Sequence, residues 1–369
     1  MAAAALPSGA AGATQGTDIG VEDIKAAERL AGIELGDAER KAILKDVQDF
    51  RKGYEAVRKE PIRDGVSPVP IHFQTLAGGS TDRRTDVRTS AVPKGDAAIS
   101  YLPRALSAML ARKEISSREL TELSLNRLKR YGPKLECVVS LTEERAMAAA
   151  NRADEERSKG RIRSPLHGIP YGIKDLFSVR GTRTTWGAGP FVDQTFDLDA
   201  TVVQRLDAAG AILVAKTTSG ALALGDVWYG GVTKNPWNRE QGSSGSSAGS
   251  AASVSAGLVP FAIGTETLGS IMSPSVRCRV TGLRPTFGRV SRYGAMELSY
   301  SMDKVGPIVR DVEDAALVLA AIHGADPHDA ASVDRPFRYR PLRNLKGVRI
   351  GCAKGNRDAF VDTLATLGA

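Results

Sequence analysis

A serine- and glycine-rich tract, residues 242–250, leads directly into an apolar segment, and this junction constrains the fold more than any other feature. The tract reads GSSGSSAGS, and the apolar residues 251–263 follow it. A backbone rich in glycine turns tightly and can point several N–H groups at one position. Because the apolar run has helical and then strand character, we interpret the tract as an ordered loop rather than as a flexible linker.

A second glycine-containing segment and one lysine complete the pattern. The sequence GTETLGS ends at Ser270, and Lys174 stands in the sequence GIKD, with no histidine near either segment. A serine hydroxyl is a poor nucleophile until a neighbouring base removes its proton, and lysine can be that base only when neutral. Burial lowers a lysine pKa, and apolar residues flank Lys174. The pattern therefore predicts a serine hydrolase with a lysine base.

The segment from Ser246 to Ser270, SSAGSAASVSAGLVPFAIGTETLGS, closely resembles the serine-glycine core of the amidase signature family. The resemblance continues through residues 281–294 and back to residues 168–177, and it spans roughly residues 100 to 350. It implies an α/β fold with a mixed central β-sheet flanked by helices. It also implies amide hydrolysis through an acyl-serine intermediate, without a metal or an organic cofactor.

The resemblance assigns a Ser-Ser-Lys triad to three residues of this chain. Lys174 takes the place of the family's lysine, Ser246 that of the bridging serine on a cis peptide, and Ser270 that of the nucleophile. The family spacing of 24 positions between the two serines selects Ser246 over Ser243 and Ser244.

Further roles follow from the same resemblance. Glu266 and Ser247 are expected to support the nucleophile loop. Backbone amides of four consecutive residues are expected to form the oxyanion hole: Thr267, Leu268, Gly269 and Ser270.

The chain departs from the family pattern at three nearby positions. Many members have glycine at the position of Leu268, arginine at that of Met272 and glycine at that of Arg279. Leu268 keeps its backbone N–H, so the expected oxyanion hole survives. None of the departures affects the three residues of the expected triad.

A different hydrolase motif lies in the same tract. Residues 245–249, GSSAG, match the nucleophile elbow G-x-S-x-G, which would make Ser247 the nucleophile. That elbow needs a strand before it and a histidine later in the chain. Residues 234–241 are polar, contain Pro236 and are not predicted to form a strand, and only His323 and His328 follow. We therefore disfavour this alternative.

The chain is predicted to contain four segments. Residues 1–16 are rich in Ala and Gly and are expected to be disordered, and residues 17–60 are expected to form a helical hairpin with helices at 21–31 and 37–58. Residues 61–97 are predicted to be an irregular linker. Residues 98–369 are assigned to the amidase signature domain.

Helices and strands alternate in this last segment, which favours a layered α/β fold. Ser116 to Glu119 predicts a capping box, and Gly132-Pro133 predicts the end of that helix. Helices are also predicted at about 143–158 and 312–322. Strands are predicted at residues 137–141, 211–215 and 347–351.

The end of the chain raises a separate expectation. Residues 364–369 repeat the pattern of residues 206–211, where a helix leads into a strand, but the sequence stops there. By resemblance, the chain is expected to be a C-terminally shortened member that lacks part of the sheet and of the acyl pocket. A truncated, inactive family member is therefore one alternative.

Composition limits the remaining classes. The chain has 369 residues, of which 42% are hydrophobic, and a formal net charge of +8. Its basic residues are interleaved with acidic ones, which predicts a solvated surface and no nucleic-acid partner. No apolar stretch is long enough to span a membrane, and no signal peptide is recognisable. We expect a cytoplasmic enzyme for a small-molecule amide, with no membrane association and a homodimer as one option.

Three functions stay open from the sequence. The first is an amidohydrolase that cleaves a carboxamide C–N bond. The second is the glutaminase component of a tRNA-dependent amidotransferase, which shares the triad and works with partner proteins. The third is the inactive family member.

Overall fold

A computed structural model describes residues 19–59, 102–339, 345–346, 348–350 and 359–366. The chain divides into two compact units near residue 68. The predicted disordered segment 1–16 and the whole predicted linker, residues 61–97, lie outside the described residues.

The N-terminal unit contains α1, Val21–Ala31, and α2, Asp37–Lys59, at the positions predicted for the helical hairpin. The helices are joined by a buried ion pair, in which Arg40 Nε donates to Glu28 Oε1 at 2.8 Å and Nη2 to Oε2 at 2.7 Å. Phe50 and Tyr54 on α2 remain 69% and 61% exposed within the chain.

The second unit is a mixed α/β structure, as the sequence predicts. Its helices are α3, Pro103–Ala111; α4, Ser117–Leu135; α5, Glu143–Ser158; α6, Thr201–Ala208; α7, Ala248–Ser255; α8, Met272–Arg277; α9, Val312–Ile322; and α10, Ala359–Thr366. Its strands are β1, Val138–Leu141; β2, Pro170–Lys174; β3, Ile212–Thr217; β4, Val227–Trp228; β5, Gly231–Val232; β6, Lys234–Asn235; β7, Asn238–Gly242; β8, Phe261–Glu266; β9, Thr281–Gly282; and β10, Lys304–Val309.

Six of these strands form the central sheet in the order β1-β3-β2-β8-β10-β9. Strand β2 pairs in parallel with β3 and β8, whereas β1, β9 and β10 pair antiparallel with their neighbours. Because β2 and β8 run in the same direction, their carboxyl ends, Lys174 and Glu266, lie at the same edge of the sheet. The start of β10 reaches this edge too, since Lys304 pairs with Glu266.

The sheet is covered on both faces, which explains why its central strands are mostly apolar. Along β3, Leu213 packs in the cluster that includes residues of α3, α6 and α9. Its neighbours Ile212 and Val214 pack in the cluster formed with α5 and α7. The apolar side chains of the strand are thus divided between two cores.

Three local expectations were wrong. Helix α4 does begin with the predicted capping box at Ser116, but it continues through Pro133 to Leu135. The last turn, which contains Pro133, is held against the core by the buried side chain of Leu135. Residues 348–350 form no strand.

The third correction concerns residues 234–241, which were not expected to form a strand. They contain β6 and most of β7, which pair antiparallel just before the serine-glycine tract. The turn between these strands accommodates Pro236, because it is placed outside the paired residues.

Candidate active site

Strand β2 carries Lys174 to the edge of the sheet and buries its side chain completely. Its side-chain nitrogen, Nζ, lies 2.8 Å from Ser246 Oγ and 2.8 Å from Thr265 Oγ1, with the Thr265 carbonyl oxygen at 3.5 Å. No carboxylate of the described residues forms an ion pair with it. Burial lowers the pKa of Lys174 to about 7, although the charges of Asp303 and Glu266 act in the opposite direction.

Ser246 lies in the serine-glycine tract between β7 and α7, after a cis peptide bond that joins it to Gly245. The segment 220–226 packs closely against this loop. Gly220 N–H donates to the Ser246 carbonyl at 3.2 Å, and a Cβ on Gly245 would lie only 1.8 Å from the carbonyl oxygen of Gly225. The tract is therefore an ordered loop, as predicted, and not a linker.

The first turn of α7 is fastened to the neighbouring strand. Gly249 N–H donates to the Thr218 carbonyl at 3.0 Å, and the hydroxyls of Ser250 and Thr217 are 2.8 Å apart. A Cβ on Gly249 would lie 2.3 Å from the Thr218 nitrogen, so glycine is needed for this approach. These contacts fix the start of the helix that follows Ser246.

Ser270 follows β8 and lies beside the tract through a backbone contact. Ser247 N–H donates to the Ser270 carbonyl at 3.0 Å. Ser270 is 9% exposed, and in the part of the chain that the structure describes its hydroxyl has no hydrogen-bond partner. A hydroxyl that is accessible and uncommitted is available to a substrate.

The loop from Glu266 to Met272 is organised by one buried carboxylate. Glu266 Oε2 accepts the N–H groups of Ile271 at 2.8 Å and Met272 at 2.9 Å, and Arg284 lies 3.3 Å from Oε1. Three further amides of the loop donate to no acceptor among the described residues: those of Leu268, Gly269 and Ser270. These three N–H groups belong to the loop that carries Ser270 and have no acceptor among the described residues.

Both the hydroxyl and the carbonyl group of Thr267 are hydrogen-bonded to residues at the start of β10. Its hydroxyl donates to Asp303, and its carbonyl accepts from Lys304 Nζ at 3.0 Å. Asp303 Oδ2 also accepts the N–H groups of Leu298 and Ser299 at 2.7 and 3.0 Å. The start of β10 therefore supports the loop that bears Ser270.

The sequence reasoning missed Thr265, Asp303 and Lys304. Thr265 contacts Lys174 directly, and its place in the GTET sequence, five residues before Ser270, was the available signal. Nothing local identifies Asp303 and Lys304, because their role depends on the antiparallel pairing of β10 with β8.

The structure also bears on the nucleophile elbow. Ser247 is fully buried, and its hydroxyl donates to the Thr265 carbonyl at 3.0 Å. His328 stacks on Tyr293, and His323 lies near Phe337, so neither is paired with Ser247. A strand does precede the tract, but the Ser247 hydroxyl is committed to a structural contact.

Comparison with known proteins identifies the family of this chain. A family model described as Amidase matches residues 119–363. The chain belongs to the amidase family. The A-type component of the glutamyl-tRNA(Gln) amidotransferase of Roseiflexus castenholzii is 45% identical over 249 residues, which are 66% of this chain and 51% of the relative. The corresponding protein of Methylococcus capsulatus is 44% identical over 255 residues, 68% of this chain and 52% of the relative.

Solved structures of the amidase family share the fold. The native peptide amidase of Stenotrophomonas maltophilia is 40% identical with a TM-score of 0.60, covering 64% of this chain and 51% of that one. A bacterial aryl acylamidase of the amidase signature family is 28% identical with a TM-score of 0.59, covering 64% and 50%. This amidase-family chain spans about half the length of the curated relatives it matches.

Two features are absent from the described part of this amidase-family chain. No described helix combines the length and apolar character needed to cross a bilayer. Within the described ranges, no group of three or more His, Cys, Asp or Glu side chains is arranged to hold a metal ion.

Proposed function

We propose that this amidase-family chain cleaves a carboxamide C–N bond through an acyl intermediate on Ser270. The observation that carries the proposal is the 2.8 Å contact between Lys174 Nζ and Ser246 Oγ, made by a buried lysine whose pKa is lowered to about 7. At neutral pH much of this amine is uncharged, so it can accept a proton.

The proposed reaction begins with a proton relay. Neutral Lys174 accepts the Ser246 proton while Ser246 accepts that of Ser270, and the Ser270 oxygen attacks the carbonyl carbon. The free amides of Leu268, Gly269 and Ser270, with that of Thr267, stabilise the oxyanion that forms. The proton returns to the leaving nitrogen, the C–N bond breaks, and a water molecule activated by the same relay hydrolyses the acyl-serine.

Glu266 and Ser247 act through the backbone in this proposal. Glu266 holds the amides of Ile271 and Met272, which fixes the turn that follows Ser270. The hydroxyl of Ser247 joins the tract to β8 through Thr265, to which it donates at the carbonyl and from whose N–H it accepts at 3.2 Å.

The similarity to components of glutamyl-tRNA(Gln) amidotransferases supports a second function, in which glutamine is the amide and partner proteins receive the ammonia. The peptide amidase and the aryl acylamidase support the first function. Glutamine hydrolysis that appears only when partner proteins are added would favour the second function. A homodimer stays a prediction.

The test uses the full chain and an activated ester, such as p-nitrophenyl acetate. We expect an acetyl group on the peptide that contains Ser270, detected by mass spectrometry, and no such adduct in Ser270→Ala. The matched control is Ser273→Ala, since Ser273 is a nearby serine that has no role in the proposed relay. An adduct on Ser247, or an unchanged rate of acetylation in Ser270→Ala, would contradict the proposal.

A further inference from the structure

A surface groove of about 450 Å³ lies at the end of α7 that is remote from Ser246. Helix α4 forms one wall, the turn between β6 and β7 forms the other, and Ser255 and Ala256 lie at the end of α7. Three cations line the groove, Arg127, Lys134 and Arg239, and no carboxylate does. Its other lining residues include Tyr131, Trp237 and Ala256.

The helical wall presents a continuous basic stripe. Residues 127, 130, 131 and 134 are spaced by three and four positions, so they lie on one face of α4. Arg127, Arg130 and Lys134 approach the ring of Tyr131, with charge-to-centroid distances of 5.2, 5.1 and 5.8 Å. These like charges repel one another, and an anion between them would reduce the repulsion.

The opposite wall contains an aromatic ring and one cation, and a second cation lies against the ring. Trp237 is 61% exposed, although its indole N–H is fixed by donation to the Cys278 carbonyl at 2.9 Å. The guanidinium of Arg279 lies 5.2 Å from the centre of the ring. Arg239 lines the groove two residues beyond Trp237. One face of the ring is thus occupied by a cation, and the side chain remains largely open to solvent.

Four cations in and beside the groove lack a carboxylate partner. Arg130, Lys134, Arg239 and Arg279 form no ion pair with any residue that the structure describes. Elsewhere in this unit some exposed cations are paired, as Lys129 is with Glu143 at 2.6 Å, whereas Lys113 and Arg161 form no ion pair with a described residue. The combination of unpaired cations with an exposed indole ring therefore distinguishes this surface.

Arg279 occupies a backbone position that disfavours it. Its φ of 56° is in the left-handed region, where a residue other than glycine costs about 1 kcal/mol. The chain tolerates this cost at the residue that places a cation over Trp237.

We propose that this basic and aromatic groove binds single-stranded nucleic acid. Cations along a groove bind the phosphates of a nucleic-acid backbone. Unpaired bases stack on exposed aromatic rings and on neighbouring guanidinium groups. An acidic peptide would use the charges but would gain little from the exposed indole. The proposal departs from the expectation drawn from the sequence, because residues that are far apart in the chain, such as Lys134 and Arg239, converge only in the fold.

The test measures anisotropy of a fluorescein-labelled oligouridine of about 12 nucleotides, titrated with the full chain at salt concentrations from about 50 to about 200 mM. Four engaged cations predict a slope of log affinity against log salt of about −2.8, since each contributes about 0.7 on a single strand. The double variant Lys134→Gln/Arg239→Gln should reduce the magnitude of the slope by about 1.4. Trp237→Ala should weaken binding by about 5-fold or more, and Trp237→Phe by less.

The matched control is Lys113→Gln/Arg161→Gln, which removes two exposed cations outside the groove. Its slope should equal that of the parent chain, and melting temperatures should show that all variants fold. Equal slopes for the two double variants would mean that binding is diffuse, which overturns the proposal. So would the absence of binding, or a poly-glutamate peptide that binds as tightly and is insensitive to Trp237→Ala.

Discussion

Two fully buried lysines lie on adjacent strands of the sheet, and their surroundings differ in one respect. Lys174 on β2 contacts hydroxyl groups and a carbonyl, whereas Lys216 on β3 lies 2.7 Å from the carboxylate of Asp175. Burial lowers the pKa of both, but Asp175 opposes the shift only at Lys216. The Asp175 carboxylate favours the charged form of Lys216, whereas Lys174 contacts no carboxylate of the described residues and burial favours its neutral form.

The two lysines lie at neighbouring paired positions of β2 and β3. Ile173 pairs with Lys216 and Lys174 pairs with Thr217, so neighbouring positions of the same two strands carry an ion pair and a candidate base. Asp175, the next residue after Lys174, is engaged away from it by Thr185 N–H at 2.9 Å and by Lys216. The ion pair thus keeps a carboxylate from the Lys174 amine.

The largest expected effect is the loss of turnover when Lys174 is replaced. Lys174→Met should reduce turnover of an activated amide by about 10³- to 10⁴-fold, because the base is lost while its volume is nearly kept. Turnover should recover partly at high pH, where hydroxide replaces the base. Steady-state kinetics of the purified chain measure both effects, and Lys129→Met, which alters an exposed lysine, is the control. A loss of less than about tenfold would contradict the role proposed for Lys174.

The second effect is on stability and concerns the other lysine. Lys216→Met should lower the free energy of unfolding by about 3 to 5 kcal/mol, because the Asp175 carboxylate is left buried without its counter-charge. Urea denaturation measures the change. The double variant Lys216→Met/Asp175→Leu should regain much of the loss, since no unpaired charge remains. Equal instability of the single and double variants would show that the loss has another cause.

The third effect depends on pH. Turnover should rise with pH and level off above about 7, because only the neutral Lys174 amine accepts the proton.

The lowered pKa of Lys174 also makes folding stability depend on pH. From about pH 7 up to the ordinary lysine pKa of about 10.4, the Lys174 amine of the unfolded chain binds the proton and that of the folded chain does not. Folding stability should therefore increase with pH there, by at most about 1.4 kcal/mol per unit from this residue. Lys174→Met should lack this contribution, and an identical pH slope in both proteins would exclude it.

The sequence motifs predicted the proximity of two candidate site residues, whereas the roles of these residues stay predictions. Lys174 and Ser246 were expected to lie together, and they do, because each belongs to a local pattern at the end of a buried strand or at the start of a helix. The ion pair of Asp175 with Lys216 was not expected. It joins side chains 41 positions apart, and only the parallel register of β2 and β3 shows which of fifty basic residues faces that carboxylate.

Local rules also failed where tertiary contacts outweighed them. Pro133 does not end α4, since the buried side chain of Leu135 holds the last turn, and the polar residues 238–242 form a strand through pairing with β6. The layered α/β fold itself was predictable, because the alternation of helices and apolar strands repeats through the second unit.

The smallest expected effect tests the hydroxyl environment of Lys174. Thr265→Val removes the hydroxyl 2.8 Å from Nζ and preserves the shape of the side chain, so the ammonium form loses a hydrogen bond that the neutral amine needs less. The midpoint of the pH profile should therefore move lower, by about one unit, and turnover on the plateau should fall by less than about tenfold. Thr265→Ser keeps the hydroxyl and should retain the parent midpoint. A midpoint that rises in Thr265→Val would mean that this hydroxyl stabilises the neutral amine, and the contrast between the two lysines would then rest on burial alone.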